Sequence, residues 1–408
     1  MNNYLRVDEV VESISKTHSF NKDKLKFLNT SDVYAGKIVS INLLPVSELK
    51  GQAKKTIKQH DILFSEIRPK NKRYAYVDVE ETEDFVVSTK LMVLRKFNPD
   101  VNNRYLYYFL TNDEMLSALQ ARAENRICSF PQITFDLLSD YKIRIPSLSE
   151  QEKIATILST LDAKIECNNC INAELEAMAK TLYDYWFVQF EFPDANGKPY
   201  QSSGGKMIYN TTLKQEIPAG WLHSTIGETF KTHLGGTPSR DKEEYWTPSE
   251  VNWLSSGENP GTFVVDPDER ISNLGLQNSP AKLLPRGTVI LSIVRHLRAS
   301  ILGIEAATNQ SVVGIVESGA FKHCFIYPYL VREIPRLMVL RTGAQQPHIN
   351  KGVLDESLLV VPDELTLEAY TSLAAPLFLQ INNYHQQNRE LTQLRDWLLP
   401  MLMNGQVT

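Results

Sequence analysis

Few side chains here stand at spacings suited to covalent chemistry. Gly204-Gly205-Lys206 has the ending of a phosphate-binding loop, but Tyr200 replaces the upstream Gly and Met207 follows where Ser or Thr would be needed. Cys167 and Cys170 share a metal-ligand spacing, yet no second pair or His cluster completes four ligands, and both fall within a helical pattern. Asp32 with Glu48-x-Lys50 could hold Mg²⁺ and activate water as a nuclease does. Patterns that short recur by chance, and solvated loop charges are the simpler reading of Glu48 and Lys50. No Gly-x-Ser-x-Gly, His-Glu-x-x-His, Asn-Pro-Pro-Tyr or Gly-rich cofactor loop occurs.

Charge clusters carry more information. Between residues 51 and 75, Lys54, Lys55, Lys58, Arg68, Lys70, Lys72 and Arg73 outnumber Asp61 and Glu66, with Tyr74 and Tyr76 close behind. From residue 282 to 304, Lys282, Arg286, Arg295 and Arg298 meet no acidic residue. Either cluster alone reads as a solvated face. Together they gain weight, because "DILFSEIRP" (61–69) resembles "TVILSIVRH" (288–296), which places Arg68 and Arg295 alike after a strand. A net charge of −5 argues against indiscriminate coating of a polyanion, so any nucleic-acid surface must be local.

The elements that must position these residues are duplicated. "FPQITFDLLSDYKIRIP" (130–146) and "QPHINKGVLDESLLVVP" (346–362) share Pro131/Pro347, Ile133/Ile349 and Pro146/Pro362 at a constant offset of 216. A capping box at Ser149-Glu150-Gln151-Glu152 predicts a helix start. Beyond it Ile154, Leu158, Leu161, Ile165, Asn168, Asn172, Leu175, Ala179, Leu182 and Trp186 alternate spacings of four and three, a heptad seam that calls for one long partner helix. The same offset leads to Tyr370, Ala374, Leu377, Ile381, Tyr384, Asn388, Leu391, Arg395, Leu398 and Leu402. In the antiparallel register Asn168 faces Asn388 and Asn172 faces Tyr384. Pro376 predicts irregular first turns in the second helix. A rod of about 39 residues spans roughly 58 Å.

"FPDANGKPYQSSGG" (192–205) reads as a linker. Short β-branched and aromatic runs (Ile62-Leu63-Phe64, Phe85-Val86-Val87, Val251-Asn252-Trp253, Val289-Ile290-Leu291) make each segment before a long helix a mixed α/β domain. The expected class is α+β. Its divisions are a first domain at 1–147, a helix at 148–190, a linker at 191–216, a second domain at 217–362 and a second helix at 363–408. Four cysteines form no disulfide framework and no apolar run could span a bilayer, so the expectation is a cytoplasmic protein without membrane contact.

"IRIPSLSEQEKIATILSTLDAKIE", "YDYWFVQFEFPDANGKPYQSSGG", "EIPAGWLHSTIGE", "GGTPSR", "LLPRGTVILSIVR", "ATNQ" and "LTQLRDWLLPMLMNG" together resemble the specificity subunits of type I restriction-modification systems over nearly the whole chain. That resemblance implies two target-recognition domains in pseudo-twofold repeat, each reading half of a split sequence in double-stranded DNA, separated by two long antiparallel coiled-coil helices. It implies two modification subunits that methylate adenine with S-adenosylmethionine, and restriction or motor subunits that use ATP and Mg. Those cofactors belong to the partners, so this chain is expected to hold none, to bind no metal and to catalyse nothing.

Under that reading the candidate DNA contacts are Arg68, Lys70, Asn71, Lys72, Arg73, Arg122, Asn125 and Arg126 in the first half. Arg240, Arg295, His296, Arg298, Gln345, Gln346 and His348 are the candidates in the second. The candidate pairing seam is Leu161, Ile165, Asn168, Asn172 and Leu175 against Leu377, Ile381, Tyr384, Asn388 and Leu391. Two rivals remain at this stage: an autonomous Mg-dependent DNA endonuclease built on Asp32, Glu48 and Lys50, and a coiled-coil scaffold whose domains bind protein.

Overall fold

A computed structural model describes residues 3–49, 51–124, 131–257, 261–343 and 345–407. The chain divides into two units: residues 1–164 with 392–408, and residues 165–391. The two long helices, Leu148–Phe187 and Glu364–Met403, contribute to both.

In the first unit the runs Ile62–Ser65 and Leu91–Lys96 are almost wholly buried, and adjacent side chains on each enter different cores. Ile62, Phe64, Met92 and Leu94 join a core shared with helix Asn103–Thr111 and helix Asp113–Glu124. Leu63, Leu91 and Val93 join a second core with Val33, Phe85 and Val87. The alternation of a β-strand therefore survives, with apolar residues on both faces because both faces are covered. These strands lie in a four-stranded sheet ordered Val11–Ser13, Leu91–Lys96, Ile62–Ser65, Tyr74–Tyr76. A separate antiparallel pair joins Asn3–Arg6 to Lys142–Ile145.

The second unit repeats the plan. Its sheet runs Lys231–Leu234, Val312–Val316, Val289–Ser292, Arg298–Leu302, Phe263–Val264. Val289 and Leu291 enter one core, Ile290 the other. The equivalent outer pair joins Leu222–Thr225 to Leu358–Val361. Short helices Phe135–Ser139 and Lys351–Asp355 follow the two Pro-x-Ile phrases. One α+β fold is thus built twice.

Within each unit the long helices pack antiparallel. In the second, Asn168 donates to Asn388 Oδ1 at 2.9 Å while Trp186 lies 5.7 Å from the Tyr370 ring, so one helix ascends as the other descends. In the first, Arg395 donates to Asp162 at 2.9 Å, and Leu402 lines a shallow cleft with Ile154 and Ile157. Tyr108 donates to the same Asp162 at 2.7 Å, tying helix Asn103–Thr111 to the pair. Asn168, Asn172 and Ile381 are buried, while Leu161, Ile165, Leu175, Leu377, Tyr384, Asn388 and Leu391 are half-buried. Asn172 makes no hydrogen bond to Tyr384; both its side-chain polar atoms are buried without a partner among the described residues.

Three local expectations need correction. The first long helix starts earlier than the capping box predicts: Glu150 N–H donates to Ser147 Oγ at 3.3 Å, so Ser147 takes the cap. Pro376 does not break the second helix, which runs unbroken from Glu364 to Met403; the proline and the nearby Ser372 are exposed, so solvent can take up the freed carbonyl. The stretch read as a linker is packed rather than loose. Phe192 stacks between Tyr200 at 4.7 Å and Trp221 at 4.9 Å, and hairpin Met207–Asn210 with Gln215–Pro218 follows. A Cβ at Gly205 would collide with the Tyr200 ring, so this glycine serves the stack. No helix among the described residues is long and apolar enough to cross a membrane.

Candidate nucleic-acid interface

The strongest local feature is an exposed arginine at the end of a central strand, held by a Pro-x-Ile strap, and it occurs in both units. In the first, Arg68 N–H donates to Pro131 O at 3.0 Å, Ile67 bridges Gln132, and Ile133 N–H returns to Glu66 O at 2.8 Å. In the second, Arg295 N–H donates to Pro347 O at 2.7 Å, Val294 bridges His348, and Ile349 N–H returns to Ile293 O at 3.0 Å. Both arginines adopt the left-handed backbone, φ 47° at Arg68 and φ 59° at Arg295. For an L residue that conformation costs on the order of 1–3 kcal/mol and survives only where surrounding bonds impose it.

The flanking residues differ. After Arg68 a single 3-10 turn, Pro69–Asn71, leaves Lys70 and Asn71 exposed. Lys72 pairs with Asp113 at 2.9 Å. Arg73 turns inward, donating to the carbonyls of Ser31 at 3.1 Å and Val33 at 3.3 Å and lying over Tyr34. Arg122 is exposed and lies 4.3 Å over the Tyr141 ring. Asn125 and Arg126 lie outside the described residues.

In the second unit Arg295, His296 and Arg298 are all exposed. Thr342 and His348 exchange two backbone bonds of 2.9 Å, closing a loop that carries Gln345 and Gln346 at its exposed end. His348 Nδ1 lies 3.1 Å from Gln346 O. Arg295, Gln345, Gln346 and His348 are thereby brought to one place. Arg240 stands elsewhere: its guanidinium stacks 3.6 Å over Trp246 and forms two bonds to Glu269, at 2.7 and 2.9 Å. Those bonds hold the Glu269 carboxyl below its usual range and raise Arg240. Its charge is matched within the fold.

Two residues outside the candidate set belong to this architecture. Gln132 is the counterpart of His348 at the offset of 216, and it donates to Glu66 Oε2 at 2.8 Å. The offset alone could have singled it out. Arg341 donates to Arg295 O at 2.5 Å, and its backbone-bracing role has no signal in residue type.

Among the described residues the nuclease arrangement is not assembled. Asp32 is buried, its carboxylate accepting from Asn29 N–H at 2.8 Å to cap its own turn. Lys50 lies outside the described residues. Among the described residues no group of three His, Cys, Asp or Glu could hold a metal. Cys167 and Cys170 are exposed free thiols and Cys324 is buried, where burial pushes its thiol up to about 11.

With this geometry in place, comparison with known proteins gives a consistent result. Residues 2–177 match the family described as the type I restriction modification DNA specificity domain. The chain is 27% identical to the type I restriction enzyme HindI specificity subunit of Haemophilus influenzae, across 98% of each chain. It is 27% identical to the MjaIX specificity subunit of Methanocaldococcus jannaschii, across 75% of this chain and 69% of that one. Among solved structures, the type I restriction-modification S subunit of M. genitalium matches with a TM-score of 0.53 at 15% identity, covering 98% of this chain and 96% of that one. At that identity the likeness speaks for the fold.

Proposed function

We propose that the chain is a specificity subunit of a type I restriction-modification system and that it reads a two-part sequence in double-stranded DNA for a larger complex. Each α+β domain contacts one half of the target. The observation that carries this reading is the repeated strand end: one fold, built twice, presents an exposed arginine at the same topological place with different neighbours. Cations there neutralise phosphates, while Asn, Gln, His and Arg side chains on adjoining loops can pair with base edges.

The long helices act as a ruler. Two readers reach the major groove from one face of the duplex when their half-sites lie about one turn apart, roughly 34–36 Å. Forty helical residues extend about 60 Å, length enough to set such a separation and still offer faces to other subunits. Two modification subunits would dock there and supply S-adenosylmethionine and adenine methylation, with restriction or motor subunits bringing ATP and Mg. This chain contributes recognition and no catalysis, in the cytoplasm where such a complex meets DNA.

The test is binding by the full chain assembled with its methyltransferase subunits. Retention of a duplex that weakens steeply with salt supports the reading. Failure to retain any duplex at low salt favours the protein-binding scaffold, and cleavage of DNA by the chain alone with Mg²⁺ favours the nuclease.

A further inference from the structure

Arg68 and Arg295 share four properties that no other arginine among the described residues combines. Each is exposed, each has a left-handed backbone, each donates its N–H to the Pro of a Pro-x-Ile strap, and neither guanidinium has a protein partner among the described residues. Arg73 is spent on carbonyls, Arg240 on Glu269 and Arg341 on the Arg295 carbonyl. Gly or Asn would occupy the left-handed backbone at less cost, yet arginine stands there in both copies. Its side chain, not the turn, therefore accounts for the choice.

The residues around the two arginines have diverged. Pro69, Lys70 and Asn71 follow one; His296, Leu297 and Arg298 follow the other. The spacing to the strap differs too, since the arginines lie 227 residues apart and the prolines 216. A contact that stays the same while its surroundings change carries no information that distinguishes two half-sites. Phosphate is the DNA group that is the same at every sequence, and a guanidinium is well shaped for it.

We propose that Arg68 and Arg295 are equivalent phosphate anchors, one for each half-site, which set each domain's position on the duplex while divergent neighbours read bases. The proposal rests on the DNA-recognition reading above. Because the strap fixes the backbone of each anchor before binding, little freedom remains to be lost there on contact.

The test uses the full chain with its methyltransferase subunits, a duplex carrying the motif that the wild-type complex methylates, and a scrambled duplex of equal length. Arg68→Asn and Arg295→Asn keep a residue tolerant of the left-handed backbone and remove the charge. Each is expected to weaken both duplexes by the same factor and to reduce the slope of log affinity against log salt by about one. Arg68→Lys and Arg295→Lys should restore most of that loss, since a point charge still serves a phosphate but not a two-bond base contact. The methylated motif should be unchanged in all four variants. Relaxation at one base position, with Lys as damaging as Asn, would overturn the proposal in favour of base reading; an unaltered salt slope would overturn it in favour of a plain surface role. A wild-type complex that retains neither duplex would instead refute DNA recognition itself.

Discussion

Replacing Asn168 and Asn388 together by Leu tests the helix pairing through a polar layer. Asn168 is 0% exposed; its Nδ2 donates to Asn388 Oδ1 at 2.9 Å, and its own Oδ1 has no partner among the described residues. Asn388, half-buried, donates in turn to Asn169 at 2.8 Å. Fully burying Leu at position 168 contributes about 1.5–3 kcal/mol. Removing a buried, unpartnered carbonyl contributes about 1–3 kcal/mol, and losing the three hydrogen bonds, to Asn388, Gln387 and Asn169, costs about 0.5–1.5 kcal/mol each. The balance is a stabilisation of about 1 kcal/mol. In a unit covering residues 165–391, that corresponds to a rise in Tm of roughly 2–4 °C. Differential scanning calorimetry on the full chain reads it as an upward shift of that unit's transition. An unchanged or lower Tm would refute the reasoning, because it would mean that the asparagines do not face each other across a buried seam.

Other predictions follow from single features. Asp61 is 1% exposed and receives two bonds from Arg95, at 2.8 and 2.7 Å, and one from Lys58 N–H at 2.7 Å; Arg95→Ala, which removes the carboxylate's cation and leaves it the backbone bond, should cost about 3 kcal/mol of stability by chemical denaturation. Burial holds the His385 pKa below its ordinary value, so the unfolded chain takes up a proton that the fold resists. Stability should therefore be lost as pH falls through about 6.5, and His385→Gln should flatten that part of a denaturation-midpoint profile. Lengthening both long helices at matched points by about four residues, one turn, should widen the unspecified gap of the methylated motif and leave both half-sites intact. Altered bases in either half would count against the ruler.

Repetition was the most legible feature of the chain, because Pro131, Ile133 and Pro146 recur as Pro347, Ile349 and Pro362 without a gap. The strands at Ile62–Ser65 and Val289–Ser292 were legible as apolar runs, but with both faces buried their sequence does not say which side chain enters which core. The packed segment after the first helix was misread because Gly, Ser and Pro dominate it, whereas Phe192, Tyr200 and Trp221 decide its conformation through contacts that composition does not record. Arg240 looked like a free cation because Glu269 is distant in sequence. The left-handed backbones of Arg68 and Arg295 had no sequence signal at all, since they are imposed by straps more than fifty residues further on.

The most direct measurement is genome-wide methylation profiling of cells that express this chain with its modification subunit. The account predicts methylated adenines in one motif with two specified halves and a fixed unspecified gap, and loss of that methylation when the chain is deleted. A continuous, undivided motif, or methylation that persists unchanged without the chain, would contradict it.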